Sequence, residues 1–263
     1  MLRAAILAAP AFLLGCAALP GQEEVKHAGV SFAYSTDDFA EVGLRTEPRR
    51  IVPPGDGVDE GYFPAHPCFD LRDKRPLPAL KEGPRYFFPA YSFICVIPLE
   101  DASVGDFRRA YPGLNVAAAD LRELLRERPG RPARAREVPD IPPLNASPSI
   151  FGRFQYLDFG SGSGILFLTQ YSNEMEPNPL NNEELTLSFQ GLTQDGRHYV
   201  AARLAITHPS LPRGIDFTDQ IERDRHWRYL QSAEMQLEGF PEESFQPSLK
   251  RLKALLSSIR VER

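Results

Sequence analysis

The chain has 263 residues, 30 basic and 35 acidic side chains, a net charge of -5, and 42% hydrophobic with 25% charged residues. That composition excludes collagen-like, wholly disordered and polytopic membrane proteins, and the mild acidity speaks against a general nucleic-acid binder. The anomaly is 25 prolines against 19 glycines, about twice the usual proline share of ~5%, which predicts many fixed loops and short elements.

Residues 1–15, MLRAAILAAPAFLLG, carry one cation, Arg3, ahead of an apolar stretch that is followed by Cys16. This is the layout of a secretory signal. The stretch from Ala4 to Leu14 would reach roughly 16 Å as a helix, short of a hydrocarbon core of about 30 Å. Leu13-Leu14-Gly15-Cys16 resembles a bacterial lipobox, with Cys16 as acceptor of diacylglycerol. Cleavage before Cys16 takes fifteen residues from 263 and leaves 248, with 29 cations against 35 anions, a charge of -6. The alternative is ordinary cleavage a few residues later with Cys16 incidental. If Cys16 is acylated, Cys68 and Cys95 remain as an even pair in an oxidising compartment, which predicts a disulfide; two buried thiols are the other option.

Pro20 to Ala28 is polar and aperiodic, so residues 16–28 read as a tether and a single domain is expected from residue 29 to 263. Within it, Gly29–Ser35 alternates as a first strand, while residues 45–82, dense in Pro, Gly and charge, predict long irregular loops. Arg85–Ile97 is aromatic and β-branched and predicts one or two strands, with a break or an edge at Pro89. Leu121, Leu124 and Leu125 place a helix over 117–128, ended by Pro129. The six prolines of 129–148 make a stiff connector. Six arginines between Arg122 and Arg136 would suit anionic lipid headgroups or polysaccharide, but Glu123, Glu127 and Glu137 interleave them, as on a solvated helix face.

The second half, 150–263, is the more regular. Phe151–Phe159 and Ile165–Tyr171 are strand-like and joined by Gly160-Ser-Gly-Ser-Gly164. Leu185, Leu187 and Phe189, then Val200, Ala202, Leu204 and Ile206, alternate with other residues and predict strands with one buried face, turned at Asp195-Gly196. The expected product is a four-stranded antiparallel meander. Two helices follow: one around 220–237, with Trp227, Leu230, Ala233 and Leu237 on one side, and one with a Leu249, Leu252, Leu255, Leu256, Ile259 stripe and Pro247 in its first turn. Strands and then helices imply an α+β fold with the helices on one face of the sheet.

No catalytic motif stands out. Gly162 occupies the place a nucleophile elbow gives to serine, and the glycine run leads into a strand rather than a helix, so it fits neither an elbow nor a dinucleotide loop. The histidines, His27, His66, His198, His208 and His226, lack metal-ligand spacing, and His66-Pro-Cys68 wants further ligands, so neither a metal nor a cofactor is expected. The polar loop 172–183 is the best recognition candidate, through Asn173, Glu174, Asn181 and Asn182, with a capped structural connection as the alternative.

The runs Tyr156–Tyr171, Asn181–Gly196 (with Phe189-Gln-Gly-Leu-Thr-Gln-Asp-Gly196) and His208-Pro-Ser-Leu-Pro212 resemble a family of uncharacterised bacterial lipoproteins and secreted proteins. In that family an FQGLTxDG hairpin precedes a strand, an HPxLP break and a closing helix. The resemblance covers residues 150–261. It departs at His198, where a second aromatic is usual, and at Ile165-Leu166, where Val-Arg is common. More remotely, the opening Val-Ser-Phe-x-Tyr strand and the final Ser-Ile-Arg-Val are similar to the Mog1/PsbP-like fold. Neither resemblance implies an activity or ligand. The expectation is a membrane-anchored envelope protein that binds another envelope protein or a polysaccharide, not nucleic acid. An envelope hydrolase, its site assembled only in three dimensions from carboxylates or a carboxylate with His198 or His66, is the alternative.

Overall fold

The four-stranded meander expected over 150–206 is present, as the larger part of a seven-stranded antiparallel sheet. The structure is a computed structural model and describes residues 21–52, 61–75, 92–99, 112–130, 138, 147–172, 180–212 and 223–262. Its strands are β1 (Gln22–His27), β2 (Val30–Ser35), β3 (Phe39–Glu47), β4 (Arg50–Val52), β5 (Gly61–Phe63), β6 (His66–Asp73), β7 (Ser92–Pro98), β8 (Ser147–Pro148), β9 (Gly152–Phe159), β10 (Gly162–Thr169), β11 (Tyr171–Ser172), β12 (Thr186–Thr193), β13 (His198–Ala205) and β14 (Arg260–Val261). Its helices are α1 (Pro112–Glu127), α2 (Arg223–Gly239), a 3₁₀ turn at Glu242–Ser244, and α3 (Leu249–Ser258). The large sheet runs β3-β6-β7-β13-β12-β10-β9, and a smaller one runs β1-β2-β14. The fold class is α+β, with α2 and α3 on one face of the large sheet.

Both faces of the meander's centre are buried, which corrects the single buried face expected from alternation. Residues 187–193 and 199–205 are buried throughout. Leu166, Leu168, Leu187, Phe189, Val200, Ala202 and Leu204 join α2 (Leu230, Ala233, Leu237) and the α3 stripe in one core. Ile165, Phe167, Leu192, Tyr199 and Ala201 join Ala118 and Leu121 of α1 in a second core on the other face. A strand covered on both sides has no need of a polar face. Arg203, expected to face water, is therefore enclosed, its guanidinium over the rings of Tyr171 (4.4 Å) and Phe93 (5.7 Å).

The glycine run is a turn of two residues, Gly160-Ser161, and not five; Gly162, Ser163 and Gly164 begin β10. A Cβ on Gly162 would lie 2.0 Å from Leu192 O, and one on Gly164 would lie 2.5 Å from the Phe189 ring. These glycines let an adjacent strand and an aromatic ring approach.

Residues 16–28 are not all tether. Gln22–His27 is an edge strand, paired with β2 from Gln22↔Ser35 to His27↔Val30. Its polarity, which suggested a tether, is what an exposed edge requires. Ala28 and Gly29 turn the hairpin at φ 49° and 75°, the two left-handed positions of a type I′ loop. Tyr34 donates to Glu23 across the pair (2.6 Å), which pushes the phenol's pKa up to about 12.

Much of 45–82 is likewise ordered, as a long hairpin arm. Glu47 faces His66 and, three residues on in each strand, Arg50 faces Phe63, so β3-β4 and β5-β6 keep one register. The interruption coincides with Pro48 and Pro64, which lack the N–H a ladder needs. Pro247 precedes the N-cap of α3, Ser248, whose hydroxyl accepts from Arg251 N (3.3 Å), rather than sitting in the first turn as expected. Arg85–Pro89 and most of the proline-rich connector lie outside the described residues.

Candidate functional site

Cys68 and Cys95 sit directly opposite on β6 and β7, with Cα atoms 4.2 Å apart, and form a disulfide. His66 lies close enough that its ring and the two sulfurs fall within 4.8 Å of one another. The sulfurs are bonded to each other, so this is a buried cross-link and not a thiolate cation site. His66 Nδ1 donates to Pro64 O (2.8 Å), which places its proton on that nitrogen.

Of the four residues proposed for a recognition loop, Asn173 and Glu174 lie outside the described residues; Asn181 and Asn182 are engaged internally. Asn181 donates through N and Nδ2 to Gln170 Oε1 (3.1 and 3.3 Å), and its Oδ1 accepts from Glu183 N (2.9 Å). Asn182 donates through Nδ2 to His208 O (3.1 Å) and Leu211 O (2.8 Å) and accepts from His208 N (2.8 Å). Asn182 thereby ties the His208–Pro212 break to the start of the loop before β12, and Asn181 ties that loop to Gln170.

The tie extends through His208, which stacks on Phe240 at 3.9 Å. Ser244 Oγ donates to Pro241 O (2.7 Å), so it accepts from His208 Nε2–H (2.9 Å), and Nδ1 is left to accept from Ser210 Oγ (2.7 Å) and Ser210 N (3.2 Å). That bonding needs a neutral ring. Burial, and secondarily the nearby Arg153 cation, push its pKa down.

A groove on the α1 side is the better candidate. The C-terminal half of α1, Arg128 and the turns at 160–163 and 193–196 enclose about 590 Å³. Arg128 follows the last helical residue in a left-handed conformation, φ 44°, where glycine or asparagine is usual. Its N–H bonds Leu124 O (2.9 Å), its guanidinium meets Asp158 (2.7 Å), and it lies over the Tyr156 ring (5.5 Å). Tyr156 in turn donates to Pro129 O (2.9 Å). Arg122 leans over the opposite turn: a Cβ on Gly196 would be 3.3 Å from its Nη2. Arg126, between them, pairs with Glu127 (3.1 Å).

The carboxylate on that turn, Asp195, accepts from Thr193 Oγ1 (2.6 Å) and Arg197 N (3.1 Å), which hold its carboxyl below the usual range. Burial pushes the neighbouring His198 pKa down against an upward pull from Asp195. The groove thus sets three arginines and two carboxylates, Asp158 and Asp195, on a support of helix and hairpin turns, with Arg128 paired to Asp158 and Arg126 to Glu127. In sequence these arginines looked like a solvated helix face; only the packing of α1 across two hairpin turns gives them an opposite wall.

No family model, curated protein or solved structure matches this chain, so the resemblances above rest on the quoted motifs alone.

Proposed function

We propose that the chain is a lipid-anchored protein of the bacterial cell envelope that binds another envelope component, without catalysis, through the groove beside α1. The observation that carries this reading is the Cys68–Cys95 disulfide between the second and third strands of the large sheet. Such a bond persists in oxidising compartments and is rare in the cytosol. The signal-like residues 1–15 and Cys16 supply a route to that compartment and a site for the lipid. The groove's lining, Arg122, Arg126 and Arg128 beside Asp158 and Asp195, offers charged and polar groups for such a component.

Metabolic labelling with a fatty acid tests the anchor. The wild-type protein takes up label and Cys16→Ser does not; absence of label from wild type, or equal label on both, overturns it. Crosslinking in cells, with identification of what copurifies, tests the binding role, and reproducible recovery of no envelope component counts against it.

A further inference from the structure

We infer that β3 is a self-pairing edge: a second copy of this chain lays its own β3 antiparallel against it across a two-fold axis at Gly43, joining two seven-stranded sheets into one. This surface is independent of the lipid anchor and of the groove beside α1. β3 ends the large sheet, and Ala40, Glu41, Gly43, Leu44 and Thr46 along it are exposed. The opposite edge, β9, is partly buried from Arg153 to Leu157. Open edges are commonly blunted by proline, by lysine or by a bulge. Glu41–Glu47 contains neither residue, and the register shift of this pair, between Phe39 and Glu41, lies at the start of the strand. Leu44, in the middle of the stretch, is 51% exposed on the same strand face as Val42, which packs against the core.

The backbone groups that face outward follow from the pairing on the inner side. Cys68 and Cys95 lie opposite each other with Cα atoms 4.2 Å apart. That is the spacing of a pair that exchanges no backbone hydrogen bonds, about 4.5 Å, against about 5.5 Å for one that does. Cys68 therefore turns its N–H and C=O toward Arg45 of β3, and Asp70 turns its own toward Gly43. Pro67, opposite Thr46, has no N–H to give that side. Val42, Leu44 and Thr46 consequently direct their N–H and C=O away from β6.

A two-fold axis perpendicular to the sheet keeps each side chain on its own face, so residues of one parity meet and the axis falls at a residue position. An axis at Leu44 would set Glu41 opposite Glu47, and one at Arg45 would set that cation against itself; like charges directly opposed are destabilising. An axis at Val42 leaves Glu41 facing Gly43 and Arg45 facing Phe39. At Gly43, Glu41 faces Arg45 on both sides of the axis, and Val42 faces Leu44 twice. These last are the residues with outward backbone groups, so each Val42–Leu44 pair exchanges both of its hydrogen bonds and adds an apolar cross-strand contact. Within the chain Glu41 already meets Arg72 (2.9 Å) and Arg45 meets Asp70 (3.0 Å). Such exposed ion pairs contribute little; across the axis the charges select the register, and the backbone and apolar pairs hold it. So short a facing stretch is small beside a standard interface of about 1,600 Å², which makes the dimer a weak, concentration-dependent one.

The test uses the full chain with Cys16→Ser, whose other cysteines are bridged. Sedimentation at rising concentration shows a monomer–dimer equilibrium; at about 1 mM chain, a dissociation constant of the same size pairs half the molecules. Leu44→Lys, at an exposed position, weakens association at least roughly tenfold without lowering the melting temperature. Gly43→Cys reads the register. A Cβ there meets Asp70 O at 3.6 Å and Asp70 Cβ at 3.7 Å, ordinary contacts, and the two new thiols face each other at the axis. Diamide oxidation joins them into a covalent dimer that dithiothreitol separates. Thr46→Cys holds its two thiols roughly 20 Å apart, at about 3.3 Å per residue, and stays monomeric under the same oxidation. Wild type that remains monomeric at about 1 mM, unchanged association of Leu44→Lys, or crosslinking of Thr46→Cys as efficient as that of Gly43→Cys overturns the proposal. Crosslinking of Gly43→Cys in cells to a different polypeptide, and not to itself, gives the edge to another partner and overturns it too.

Discussion

Among the described residues, three with side chains adopt left-handed backbone: Ala28, Arg128 and Arg153. The two arginines are held there by what their guanidinium groups reach, whereas Ala28 has no such compensation. Left-handed geometry costs an L-residue with a Cβ roughly 1–2 kcal/mol, and asparagine least. Ala28→Asn is therefore expected to stabilise by about 0.5–1 kcal/mol, read as a rise of roughly 1–4 °C in melting temperature; no rise would show that the loop is not type I′ in solution. His208 carries a pH prediction. Its folded pKa is depressed, so its contribution to stability is present above the unfolded value of about 6.5 and is lost as pH falls below it, because the unfolded chain takes up the proton first. His198 has the same sign. Melting temperature should fall between pH 7.5 and 5.5, and His208→Gln should lose part of that slope; an unchanged slope in the variant removes His208 as its source.

At the scale of elements, helix α2 has no basic residue in its last turn, yet its end is capped by a cation from elsewhere in the chain. Arg153 sits in the bulge of β9, where the pairing with β10 shifts between Leu166 and Leu168. From there its guanidinium donates to Leu237 O (2.8 Å), Glu238 O (3.1 Å) and Phe240 O, while its own N–H bonds Glu238 (2.6 Å). A cation on the terminal carbonyls satisfies groups the helix cannot satisfy itself and opposes its dipole. Arg153→Met keeps the stem and removes the cap, and should cost about 1–3 kcal/mol, a drop of roughly 2–12 °C in melting temperature. Loss of helical signal ahead of the main transition would locate the damage in α2. Nothing in the local sequence announces this cap, because the partner is more than eighty positions away. The hairpin arm of β3 to β6 was hidden for another reason: Pro48 and Pro64 read as breakers, but they fall at one level of the same pair and interrupt the ladder once.

For the whole molecule, the disulfide joins two neighbouring strands of a sheet that both cores share. The bridge closes a separation of 27 residues, for which chain entropy suggests about 3–4 kcal/mol, within the 2–5 kcal/mol usual for native bridges. The Cys68→Ala/Cys95→Ala protein should melt roughly 6–16 °C lower than wild type, and wild type should show no free thiol when denatured without reductant. Two free thiols would refute the bridge, and an unchanged melt would mean that it adds nothing to stability.

The α+β class, the meander and the helix positions were legible in the sequence, because periodicity and turn residues act over short range; the pairing of Cys68 with Cys95 was expected only once Cys16, the third cysteine, was set aside. The tertiary structure decided what depends on distant neighbours. It buried the second face of β12 and β13 under α1, made Gln22–His27 a strand by giving it β2 as partner, and tied Asn182 to the His208–Pro212 break. It also gave Arg122 and Arg128 a groove, because a charged helix surface becomes a site only when another wall stands opposite it.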